Sequence, residues 1–189
     1  NRRLRELAFR DALTGLPNRL HFEERLDATL AQVGRHAGAM AVLFIDIDGF
    51  KAVNESFGHA AGDEVLRELG RRLHASARSQ DIVARAGGDE FLMLMVSPGS
   101  PEAAAHAAQE LQHAVTAPYR LPNGSEVRLS CSIGIAVFPE HGPISRLIPN
   151  ADAAMAAVSG HTTHGHGPPS EPRTTAAVTA CKVWPEGKL

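Results

Sequence analysis

Cysteine is nearly absent. Cys131 and Cys181 are the only two in 189 residues, too few for the disulfide framework of a small secreted domain, so a reducing compartment is the expectation. No run approaches the roughly 18 apolar residues that a membrane-spanning helix needs. A basic excess is missing as well: 19 Lys and Arg stand against 21 Asp and Glu, a formal charge of −2, which argues against a general nucleic-acid binder. No glycine-rich loop ending in Gly-Lys-Ser/Thr occurs, which argues against a P-loop nucleotide enzyme. Internal repeats are absent. So is a signal-peptide pattern behind Asn1, and the chain reads as a piece of a longer protein.

What is present is an ordinary globular mixture, 43% hydrophobic and 21% charged, sufficient for one well-cored domain with an appendage. Residues 1–10 set Leu4, Leu7 and Phe9 among arginines, as the end of an upstream linker helix would. Gly15, Pro17 and Asn18 break that pattern. Residues 19–36 are helical in period, with Leu20, Phe22, Leu26, Leu30 and Val33 expected inward. Ala39 to Asp46 is an unbroken apolar run ending in acid, the pattern of a central buried strand. A second amphipathic helix covers 60–77, with Val65, Leu66, Leu69 and Leu73 as its inner face. Ile82–Ala86 and Phe91–Val96 read as two strands joined by a hairpin turn. Ser100 and Pro101 open an Ala-rich helix over 101–116. Pro122-Asn123-Gly124 marks a turn, Val127–Phe138 contains a long strand, and Asn150–Val158 begins a last helix. From Gly160 onward the chain is rich in Thr and Pro and holds neither Phe nor Ile, so 159–189 is expected to be an irregular or disordered tail. The element order predicts an α+β domain, a sheet with helices packed on it.

Acid is concentrated where a core should be apolar. Asp46 and Asp48 close the first strand and share a face, with Ile47 opposite. Asp89 and Glu90 follow Gly87 and Gly88 in the hairpin turn. Two readings stand: surface turn acids, or a pair of carboxylates that converge if the hairpin lies beside the first strand. In the second case they attract a hard divalent cation such as Mg²⁺, which also holds substrate phosphates. The two glycines let a ligand approach backbone without meeting a Cβ.

Arg85-Ala86-Gly87-Gly88-Asp89-Glu90-Phe91 carries the signature of the GGDEF family, the diguanylate cyclase domains. Other stretches resemble the family in the same order and spacing. They are Asp11-Ala12-Leu13-Thr14-Gly15-Leu16-Pro17-Asn18-Arg19, Phe44 to Lys51 followed by Asn54, Phe57-Gly58-His59 with Gly62-Asp63, and Ser132-Ile133-Gly134-Ile135. The resemblance covers about residues 8–158, with 11–158 as the domain proper. It implies a ferredoxin-like nucleotidyl-cyclase palm with a mostly antiparallel central sheet. It further implies a twofold homodimer in which two GTP face each other and condense to cyclic di-GMP and two pyrophosphates. By position, Asp46 and Asp89, with the Ile47 carbonyl, would ligate Mg²⁺ or Mn²⁺. Glu90 would stand beside the metal and assist deprotonation, Lys51 would contact phosphate, and Asn54 and Asp63 would read the guanine edge. Arg78 and Asp81 occupy the family's RxxD product-inhibition site; an exposed ion pair at a helix end is the plainer reading. The implied setting is a cytoplasmic domain of a membrane-attached sensor protein, with an upstream sensor domain and no nucleic-acid partner.

The resemblance weakens at the end. Where the family continues with a tyrosine, a lysine and an arginine, this chain has Ala156, Ser159 and Thr163. Two phosphate-contacting cations are thus replaced, and the abrupt change resembles a frameshift or truncation. The final sheet-edge segment also has no counterpart by pattern. The alternative function is therefore a catalytically impaired module that binds GTP or cyclic di-GMP. Phe138-Pro139-Glu140-His141-Gly142 resembles domains fused to an EAL phosphodiesterase, which implies a downstream EAL domain in the full protein. His161, His164 and His166 read as an ordinary polar tail, Cys131 as a small buried residue, His59 as structural, and Met93 and Met95 as strand core.

Overall fold

The apolar run that starts near residue 40 becomes the middle strand of the molecule. The computed structural model describes residues 8–33, 39–159 and 177–178. Strand β1 (Met40–Asp48) has antiparallel neighbours on both sides, β3 (Glu90–Val96) and β6 (Ser130–Phe138). The sheet order is β2-β3-β1-β6-β7, with β2 spanning Ile82–Gly87 and β7 only Ala177–Val178. Every pairing is antiparallel, so β2 runs parallel to β1 with β3 inserted between them, the split crossover of a ferredoxin-like sheet.

Period-2 alternation sorts the side chains of β1 onto two cores. Ala41, Leu43, Ile45 and Ile47 pack with Val65, Leu66, Leu69 and Leu73 of α3 (His59–Ser76) and with Ala104, Ala108, Leu111 and Val115 of α4 (Pro101–Thr116). Met40, Val42 and Phe44 face the other way. They meet Phe22 and Leu26 of α1 (Arg19–Val33) and Leu147, Ile148, Ala151 and Met155 of α5 (Ile144–Ser159). The result is an antiparallel sheet between two helix layers, the α+β arrangement expected. The inner face of α3 is the one its spacing predicts, and Ser100 caps α4 through a hydrogen bond from the Ala103 amide to its hydroxyl, 3.2 Å.

Several expectations need correction. Leu20 is 53% exposed: it lies two residues before Phe22, about 200° around the helix from the face that Phe22 and Leu26 bury. A short helix, α2 (Phe50–Phe57), follows β1 directly; Phe, Val, Asn and Ser are weak helix formers and gave no signal. The long strand expected within 127–138 is β6, which starts three residues into that stretch. Just before it, β5 (Glu126–Val127) pairs with β4 (Tyr119–Arg120) across the Pro122-Asn123-Gly124 turn, and β6 begins at Ser130. Helix α5 starts six residues earlier than expected and carries Pro149 inside it. The linker helix expected over 1–10 lies outside the described residues except for Ala8–Arg10, where Arg10 bridges Pro17. The tail, including His161, His164 and His166, also lies outside them. Its one described piece, Ala177–Val178, adds a two-residue strand at the β6 edge through Ile133 and Gly134, where no edge segment was expected.

Candidate active site

The site grows from the end of β1. Because β3 lies beside β1, Asp46 stands directly across from Glu90, and on its other side from Ser132. Pairing with β3 stops at that point, while β1 continues for two residues against Cys131 and Ser130 of β6. Ile47 and Asp48 therefore run past the end of β3. Asp48 is tied down there: Ser130 Oγ donates to its Oδ2 (2.9 Å) and Ser132 Oγ to its Oδ1 (3.2 Å).

The signature turn closes β2 onto β3. Gly87 and Gly88 have φ of 151° and 52°, values that residues with a Cβ avoid, and the ladder slips between Arg85 and Gly87. Arg85 holds the turn from beneath. Its Nε and Nη2 donate to the Gly88 carbonyl (3.0 and 2.7 Å), and its Nη1 donates to both Asp11 oxygens (3.0 and 3.1 Å). The Arg85 amide also donates to Pro17 O, 3.0 Å. Asp11 further accepts from the Thr14 amide and hydroxyl. Burial alone would raise the Asp11 carboxyl, but these hydrogen bonds and the guanidinium hold it below the usual carboxylate range.

Asp89 and Glu90 are half-buried at the mouth of this turn. Burial, then the charges of Asp152 and Asp89, push the Glu90 carboxyl up, opposed by Arg19; burial pushes Asp152 up as well, again opposed by Arg19. Crowded carboxylates with raised proton affinity form a place where a cation relieves repulsion. Among the described residues no group of three or more His, Cys, Asp and Glu could hold a metal. The carboxylates of Asp46, Asp89 and Glu90 are hard oxygen donors, the kind that Mg²⁺ takes alongside water and phosphate.

Lys51, Asn54 and Asp63 lie on the two helices that follow β1. Lys51, in the first turn of α2, is almost fully exposed and pairs weakly with Glu55 at 3.6 Å. Asn54 on α2 and Asp63 on α3 flank the bend at Gly58. Arg78 and Asp81 lie at the opposite end of the β2–β3 hairpin, beside a cavity of about 210 Å³ lined in part by Met93, Met95 and Glu110. They do not pair through their side chains. Asp81 instead accepts the Arg78 amide on Oδ2 and the Val96 amide on Oδ1, both at 3.0 Å, and Arg78 is exposed. Arg19, Asp152, Asp11 and Arg85 were not singled out as site residues by the sequence reading. The available signal for Asp152 was a lone acid in an Ala-rich helix. Among the other residues considered, Cys131 is fully buried, with its thiol pushed up to about 12 chiefly by burial. Met93 and Met95 are strand core.

Sheet topology, helix layers and the carboxylate-lined end of β1 together define a ferredoxin-like nucleotidyl-cyclase palm. The family model "Diguanylate cyclase, GGDEF domain" matches residues 8–163. The chain belongs to the GGDEF domain family. It is 46% identical over 156 residues to the bifunctional diguanylate cyclase/cyclic di-GMP phosphodiesterase MucR of Pseudomonas aeruginosa, covering 82% of this chain and 22% of that protein. It is 44% identical to the diguanylate cyclase TpbB of Pseudomonas aeruginosa, covering 82% of this chain and 36% of TpbB. The solved GGDEF domain of TpbB superposes with a TM-score of 0.76 at 44% identity, over 78% of this chain and 87% of that one. The chain therefore spans between about a fifth and about a third of these two relatives. Among the described residues no helix is long and apolar enough to cross a membrane.

Proposed function

We propose that this domain is a diguanylate cyclase, condensing two GTP into cyclic di-GMP and two pyrophosphates as a twofold dimer in which each protomer presents one GTP. In each transfer the ribose 3′-oxygen bonds to the α-phosphorus of the opposite GTP. The bond from that phosphorus to the pyrophosphate oxygen breaks, and the hydroxyl proton leaves. The observation that supports this reading best is the register of Asp46 against Glu90, with Asp89 beside them in the glycine turn.

Asp46 and Asp89, with the Ile47 carbonyl, would hold Mg²⁺ or Mn²⁺, which when bound screens the triphosphate and stabilises charge on the transferring phosphoryl group. Glu90 accepts the departing proton. Gly87 and Gly88 let the triphosphate lie against bare backbone, and the exposed Lys51 ammonium reaches its oxygens. Asn54 and Asp63 select guanine: a carboxylate accepts from N1–H and the 2-amino group, and adenine offers neither there. Arg78 supplies an exposed guanidinium to the product, and Asp81 has further lone pairs beyond those its two amides engage, so the pair serves as the product-inhibition site. An upstream sensor domain and a downstream EAL domain in the full protein complete the proposed setting, the whole attached to a membrane with this domain in the cytoplasm.

A second reading is favoured by one observation, Ser159 and Thr163 in place of the family's phosphate-contacting lysine and arginine. Losing charged partners of a desolvated phosphate costs about 2–5 kcal/mol, enough to leave a module that binds GTP or cyclic di-GMP without turnover. Incubating the chain with GTP and Mg²⁺ at dimer-forming concentration separates the two. Cyclic di-GMP that disappears in Asp89→Ala supports the cyclase. GTP binding without product, with turnover restored by Ser159→Lys, supports the module.

A further inference from the structure

Gly62 is buried in the first turn of α3, an eighteen-residue helix, where alanine would be the better helix former. A Cβ at that position would lie 1.9 Å from Asn54 Oδ1, 3.0 Å from Asn54 Cγ and 3.2 Å from Phe50 Cζ. All three are side-chain atoms of α2, and the first is the tip of a rotatable amide. Among the described residues the Asn54 side chain makes no hydrogen bond. Its amide is therefore located by packing alone, against the bare Cα of Gly62 and beside the Phe50 ring.

We infer that Gly62 is a positioning residue for nucleotide recognition: its missing Cβ is the space in which the Asn54 amide rests, the amide that together with Asp63 would read a guanine base. The inference rests on the reading that Asn54 and Asp63 bind guanine. An alanine at 62 is accommodated cheaply, because Asn54 rotates away, so the fold survives while the recognition geometry is lost. A purely structural glycine behaves otherwise: its replacement lowers stability and leaves the Asn54 amide where it was.

The test uses the full chain carrying Gly62→Ala, Asn54→Ala or both. Three quantities are read: melting temperature, the side-chain amide resonances of Asn54 in ligand-free protein, and GTP affinity by calorimetry. Expected for Gly62→Ala are an unchanged or higher melting temperature, a displaced Asn54 amide pair and GTP binding weakened about five- to tenfold. In the Asn54→Ala background the added effect on GTP falls below about twofold, because the two substitutions remove one interaction. An unmoved amide pair overturns the inference, as does an equal loss of affinity in both backgrounds, even if Asn54→Ala itself weakens GTP. If instead the amide moves but Asn54→Ala leaves GTP affinity unchanged, or the native chain binds no GTP, the guanine reading is what fails and the inference falls with it.

Discussion

Arg85 and Asp11, seventy-four positions apart in sequence, form a two-oxygen ion pair whose other arm grips the Gly88 carbonyl. The guanidinium thus fastens the signature turn to the tight loop that opens the domain. Both side chains are largely withdrawn from solvent, 12% and 21% exposed. Breaking such a pair from one side leaves the partner desolvated. Arg85→Ala is expected to cost about 2–4 kcal/mol in urea unfolding. Coupling to Asp11→Asn in a double-mutant cycle should be roughly 1–2 kcal/mol. A coupling near zero would show that the pair holds nothing.

Glu90 is held near like charges in a partly buried place. Its raised carboxyl means that stability is fully present below the ordinary glutamate range and is lost as the pH rises through the higher folded value. In metal-free buffer at neutral pH, Glu90→Gln is therefore expected to stabilise the fold by roughly half a kcal/mol after solvent screening; with GTP and Mg²⁺ added, it is expected to abolish the proposed cyclic di-GMP formation. A thermal melt beside a product assay checks both, and a lower melting temperature would contradict the like-charge account.

Glu68 behaves in the opposite sense. Hydrogen bonds from Arg71 first, then Arg72, bring its carboxyl down to about 2 from an ordinary 4.5. The stabilisation is complete above about 4.5 and drains away as the pH falls toward about 2. Because the carboxylate is a third exposed, the loss is of order 1 kcal/mol. Urea titrations at pH 6 and pH 2.5 should show a smaller acid loss in Glu68→Gln than in the native chain. Arg72 also donates to the carbonyls of Ala114, Ala117 and Pro118 at the end of α4, so fraying of that end is expected to accompany the transition.

At Gly134 the sheet packs directly against the backbone of α5. A Cβ there would stand 2.0 Å from the Ala151 carbonyl oxygen and 2.3 Å from the Met155 amide nitrogen, and backbone has no rotamer to yield. Gly134→Ala is expected to destabilise the fold by about 3 kcal/mol or more, in contrast to Gly62→Ala. A melting temperature within a degree of the native value would refute it.

Local chemistry alone determined much of this protein. The apolar run of β1, the 3.6-residue spacing of Val65, Leu66, Leu69 and Leu73, the Ser100 cap and the double-glycine turn each act through neighbours a few residues away, and each stands where its pattern placed it. The signature residues around Asp89, together with those around Asp46, also named the family, because a turn chemistry so specific rarely recurs by chance. Tertiary structure decided what depends on distant partners. That Asp46 faces Glu90 required β3 to insert beside β1. That Arg19 and Asp152 act on Glu90 required α1 and α5 to share one side of the sheet. Asp81 turned to the backbone amides of Arg78 and Val96 rather than to the Arg78 guanidinium, and Leu20 turned to solvent because the core contacts of α1 are made on the Phe22 and Leu26 face. Periodicity reports which face a residue takes along its own element; which other element supplies the opposite face is a long-range choice made by the packed core.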